Sequence, residues 1–107
     1  MAWLLLGLAI VAEVAGTLSL KASLGFTKLV PSVGVVLGYA VAFAMLGLAL
    51  RTIPVGVSYA VWSGLGTVGA AVGALVIFGE SLPWQAIAGI AVVVVGVLMI
   101  TLAEVGH

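Results

Sequence analysis

From residue 2 to residue 22 the chain reads AWLLLGLAIVAEVAGTLSLKA, an apolar run in which the only ionisable side chains are Glu13 at its middle and Lys21 near its end. A spanning helix needs ~20 apolar residues, and this run is continuous, without the two-residue alternation of a membrane barrel strand. Three more runs follow, Pro31 to Leu50, Pro54 to Phe78 and Pro83 to Ala103. The spacing predicts an all-α membrane protein, a single domain over residues 1–107 with helices near 2–22, 31–50, 54–78 and 83–103. Each proline heads a run, where its missing N–H costs nothing and its fixed φ suits a first helical turn. The connections are short, so anything functional is expected inside the membrane.

Composition supports this. Hydrophobic residues make up 65% of the 107, charged residues 6%, and the mean hydropathy is +1.52, against about a quarter charged in soluble domains. With no Asp or Cys and one terminal His, His107, the chain lacks the material for a metal cluster or a disulfide framework. Neither metal nor cofactor is expected. A formal net charge of zero leaves no basic surface for nucleic acid. The first run lacks the basic leader of a signal peptide and is expected to be retained. Lys21 and Lys28 flank the first loop, while Arg51 and the amino terminus fall on the opposite side. That near tie in the cations that set orientation predicts insertion in both directions, so that two copies can pair head to tail.

Glu13 lies about 16 Å into a core about 30 Å thick. A carboxylate there costs about 2.5 kcal/mol or more on insertion scales and persists where it faces a partner or a wet cavity. One reading is structural, a protonated acid hydrogen-bonded between helices. The other is functional: burial opposes the charged form, which makes the group a reversible proton binder for which a cation competes. Its helical neighbours Ala9, Ile10, Gly16 and Thr17 are mostly small and allow close approach. Lys21 is expected to snorkel to the headgroups, and Glu80, Glu104 and His107 to solvate the ends.

Tyr59, Trp62 and Gly66 recur at i, i+3 and i+7 on one face of the third run, with Ser63 beside them. Trp84 and Trp3 suit a headgroup belt. Trp62, about 12 Å in by helical rise, does not, and its ring is expected to line a site for organic cations, with Tyr39 as another wall. Gly64 and Gly66 stand among four glycines at the centre of this helix and are read either as a conformational kink or as close packing. Residues 64–69 also spell GxGxxG, but no strand precedes them, so a nucleotide site is not expected. Gly89 and Gly96, seven apart on the fourth run, read as a helix crossing or the seam of a homodimer. Gly34, Gly38 and Ala42 on the second run form a similar ridge, read as packing within the chain.

Taken together, Ala12-Glu13-Val14, Lys21, Gly25-Phe26-Thr27-Lys28, Pro31-Ser32 and the stretch from Ile53 to Gly66 resemble, in order, the pattern of the small multidrug resistance family. The resemblance implies transport rather than catalysis: proton-coupled export of hydrophobic cations, such as quaternary ammonium and polyaromatic compounds, by an antiparallel homodimer in a bacterial inner membrane. The partners so implied are the cationic substrate, protons, the lipid bilayer and a second copy of the chain. The carboxylate matching Glu13 would take protons and substrate in alternation, Trp62, Tyr59 and Tyr39 would contact substrate, with Thr17, Gly16, Trp3 and Ser63 as further substrate-binding candidates, and Gly89 and Gly96 would lie in the dimerising helix. Guanidinium exporters of the family typically carry Trp at the position of Gly16, so Gly16 and Thr17 resemble the drug exporters. Trp3 stands where those often have Tyr, Ala42 where they often have Ser, and Lys28 where Arg is common. A guanidinium exporter is the alternative within the family. A rotary ATPase proteolipid or another non-transport subunit is the alternative outside it, disfavoured by the aromatic face.

Overall fold

The computed structural model describes residues 1–105, so His107 lies outside the described residues. Four helices follow one another, α1 (Ala2–Ala22), α2 (Leu29–Ala49), α3 (Val55–Ile77) and α4 (Trp84–Val105), and no strand occurs among the described residues. All four are long and apolar enough to cross a membrane. The prolines sit at helix starts in three different ways: Pro31 is the third residue of α2, Pro54 is the N-cap of α3, and Pro83 immediately precedes α4. Helix α2 therefore begins two residues before its proline. Lys28 in an extended conformation is its N-cap, and a proline in the first turn removes no hydrogen bond. At its far end α4 runs on through Glu104 to Val105.

The chain is a slab of 46 × 34 × 16 Å, less than two helix diameters thick. Helix α1 packs against α2 and α3, and α4 rests on α3. Leu6, Ala9 and Ile10 of α1, Leu46 and Ala49 of α2, Ile53 of the following turn, Val61 of α3 and Val97 of α4 form the core. These residues gather toward the end of the slab that holds the α2–α3 turn. Val97 is the only buried residue of α4, so the most hydrophobic helix has the least of its surface covered by the rest of the chain.

Small residues set the α1–α2 crossing. A Cβ on Gly38 would stand 2.9 Å from Cα of Gly16, and one on Gly34 would stand 2.8 Å from Oγ of Ser19, while Ala42 is wholly buried. The small-residue ridge of α2 is thus used inside the chain. Just past the C-terminal end of α1 the fully buried Ser23 ties the turn together: its Oγ donates to the Leu20 carbonyl at 2.7 Å and accepts from the Phe26 amide at 3.0 Å. Leu24, Gly25 and Phe26 all have positive φ, a conformation costly for side chains of that size, and the Ser23 bonds help to hold it.

Lys21 does more than reach for headgroups. Its Nζ donates to Oε2 of Glu80 at 2.6 Å and lies 5.8 Å from the Phe78 ring centroid, joining the end of α1 to the α3–α4 connection. The two residues are 59 positions apart in the sequence, and tertiary packing alone brings them together. Both side chains are well exposed, so the pair contributes at most about 1 kcal/mol.

Candidate functional site

The mid-helix carboxylate opens onto a cavity of about 460 Å³ lined by Glu13, Tyr59, Trp62, Ser63, Gly66, Thr67 and Ala70. Four of these, Tyr59, Trp62, Ser63 and Gly66, lie on the third helix where its periodicity put the candidate site. Helices α1 and α3 bring them to Glu13 because α3 presents glycine to α1 at successive turns. Cβ atoms on Gly66, Gly69 and Gly73 would stand 3.0 Å from Glu13 Oε2, 2.8 Å from Val14 Cγ2 and 2.6 Å from Leu18 Cδ1. The absent side chain of Gly66 therefore makes the room in which the carboxylate lies.

The two oxygens of Glu13 have different surroundings. Thr17 Oγ1, one turn along α1, donates to Oε1 at 3.1 Å and lies 2.8 Å from the Tyr39 hydroxyl on α2. A threonine hydroxyl has one proton, so with that proton given to Glu13 the phenol of Tyr39 is the donor to Thr17. Oε2 is shielded and has no hydrogen-bond partner. An unsatisfied acceptor in low dielectric is costly, and here it borders the cavity, where a proton or a bound cation would satisfy it.

Aromatic rings form the wall. The Tyr59 and Trp62 rings are 5.6 Å apart and tilted by 59°, and Phe43 meets Trp62 edge-on at 5.5 Å and 67°. Trp62 Nε1 and Ser58 Oγ, one helical turn apart, are also buried without partners. A half-open apolar cavity with aromatic faces and one carboxylate oxygen is suited to a hydrophobic cation: the rings attract positive charge through their quadrupoles, and the acid neutralises it.

Other candidates fall outside the cavity. Tyr39 and Thr17 stand behind Glu13 and hold it, while Gly16 fits under Tyr39, a Cβ there lying 3.3 Å from the ring. Trp3 packs against the core at the end of the slab and does not line the cavity. A Cβ on Gly64 would run into Val97 of α4, and α3 continues as one helix through Gly64 and Gly66, so both glycines serve close approach in this conformation. Gly89 and Gly96 have no atom of the chain within reach of an added Cβ. Sequence reasoning missed Phe43, Thr67 and Ala70. Each lies four residues beyond a candidate it did name, Tyr39, Ser63 and Gly66, and extending the helical stripe by a turn would have found them.

Comparison with known proteins agrees with this geometry. The model of the family described as Small Multidrug Resistance protein matches residues 1–93. Quaternary ammonium compound-resistance protein QacF of Klebsiella aerogenes is 49% identical over 100 residues, 94% of this chain and 91% of the relative. QacE of Escherichia coli, of the same description, matches with the same identity and coverage. A guanidinium exporter of Escherichia coli is 40% identical over 103 residues, 96% of this chain and 98% of the relative.

Proposed function

We propose, given that this chain belongs to the small multidrug resistance family, that it is a proton-coupled antiporter exporting hydrophobic organic cations across a bacterial inner membrane. The observation that carries the proposal is the unpartnered Oε2 of Glu13 at the edge of an aromatic-walled cavity, in helices fit to span a membrane. A proton on that oxygen leaves as a cation enters, and a proton arriving later displaces the cation on the other side. One group thus couples two fluxes, because it holds one charge at a time. Tyr59 and Trp62 supply aromatic surface, and Thr17 and Tyr39 hold the carboxylate. Quaternary ammonium and polyaromatic cations are the favoured substrates: two relatives named for quaternary ammonium resistance are more similar than two named guanidinium exporters, and the Tyr39 ring over Gly16 leaves no space for the Trp expected of that subtype.

Coupling is tested by adding tetraphenylphosphonium to purified protein in weakly buffered solutions over a series of pH values. Proton release in proportion to bound cation is expected, and it should be absent in Glu13→Gln. Cation binding with no proton release at any pH overturns the antiport reading.

The working unit is an antiparallel homodimer, to which the uncovered α4 and the thin slab both point. Two copies would join their Glu13 side chains in one midplane cavity, as in inverted-repeat carriers. Gly89 and Gly96 supply a small-residue strip for the seam. Since nothing within the chain opposes a side chain at Gly96, Gly96→Leu should leave helical content unchanged and weaken self-association at least about tenfold. Light scattering in detergent reads this as a shift from two chains to one. An unchanged dimer would place the seam elsewhere.

A further inference from the structure

Thr67 lines the same cavity as Glu13, on the exposed side of α3, and has no role in the site derived above. Its Oγ1 donates to the Ser63 carbonyl one turn back, at 2.7 Å. That bond uses the only proton of the hydroxyl, so toward a bound molecule the oxygen can act only as an acceptor. Glu13 is likewise an acceptor when ionised, with Oε1 already engaged by Thr17 and Oε2 shielded but without a partner at the cavity edge. The cavity therefore holds two separate acceptors, one charged on α1 and one neutral on α3, between aromatic faces. A quaternary ammonium has no N–H and can use only the charge and the rings. A cation carrying several N–H groups in a plane can bond the carboxylate with one and Thr67 with another.

We propose that Thr67 is a specificity-determining residue that extends the substrate range to hydrophobic cations with N–H donors, such as aryl-substituted guanidinium ions. The proposal rests on the cation-exporter reading and deepens it. It adds a second point of discrimination, on α3, to the one at Gly16. A hydrogen bond to a charged donor, partly desolvated, is worth about tenfold in affinity.

The test is calorimetric titration of the full-length protein in detergent with two ions that share a ring and differ in headgroup, phenylguanidinium and phenyltrimethylammonium. Thr67→Val keeps the shape and removes the acceptor, and it should shift the ratio of the two affinities about tenfold toward phenyltrimethylammonium. Thr67→Ser, which keeps the hydroxyl, should restore the wild-type ratio. A ratio within twofold of wild type in Thr67→Val overturns the assignment while leaving the exporter reading intact, and so does a failure of Thr67→Ser to restore it. Wild-type protein that binds neither ion overturns both. Should Thr67→Val lose helical content, Thr67→Ala with the same ion pair decides the matter by the same ratio.

Discussion

Glu13→Gln is expected to weaken binding of a hydrophobic cation at least about a hundredfold and to reduce proton-driven uptake into vesicles to background. The substitution is nearly isosteric. The amide oxygen can still accept from Thr17, so the link through Thr17 to Tyr39 survives, and the amide group occupies the space beside Gly66 that Oε2 holds in the wild type. What is lost is charge. An organic cation leaving water for a half-closed apolar cavity would then face rings alone, and cation–π attraction of about 0.5 to 2 kcal/mol does not replace a desolvated ion pair. A hundredfold loss corresponds to about 2.7 kcal/mol. Coupling fails separately, because an amide does not titrate and has no proton to exchange. Equilibrium binding and vesicle transport therefore report different losses from one change. A Gln variant that binds within threefold of wild type, or that still accumulates cation against its gradient, would mean that Glu13 is structural.

What the sequence made legible is what helical periodicity and depth encode. The four runs, the mid-helix position of Glu13 and the Tyr59, Trp62, Ser63 and Gly66 face all depend on one helix at a time, and residues of a single helix keep their relative positions however it packs. The Thr17 bond to Tyr39, the edge-on contact of Phe43 with Trp62 and the Lys21 bridge to Glu80 depend on how two helices meet. No period in a single run carries that information. Gly64 and Gly66 show the same division: their density in α3 was visible, but that one meets Val97 and the other makes room for a carboxylate is a property of α4 and α1. Trp3 shows the same division: it lies about 15 Å along the helix axis from Glu13, and within one chain it packs against the core rather than lining the cavity.

The second large effect is expected far from any charge, in Gly38→Ala. A Cβ at Gly38 would stand 2.9 Å from Gly16 Cα and 3.0 Å from both the Ala12 carbonyl oxygen and the Gly16 nitrogen. All three are backbone atoms, so no side chain can rotate away, and α1 and α2 must separate along their crossing. Overpacking of this kind costs about 1 to 3 kcal/mol, and the rigidity of the contact puts the expected loss at the upper end. The consequence reaches the site, since the crossing also sets Tyr39 over Gly16 and within 2.8 Å of Thr17. Separating the helices lengthens that bond and loosens the support of Glu13. Gly47→Ala provides the control on the same helix: nothing lies within 4 Å of a Cβ there, and replacing an interior glycine by alanine gains up to about 1 kcal/mol of helix propensity. Opposite signs are therefore expected for one chemical change at two positions of α2, read as unfolding midpoints in a denaturing detergent titration. Equal shifts at both positions would mean that the α1–α2 crossing is looser than the Gly38 contact requires, and the support of Glu13 by Tyr39 would then need another origin.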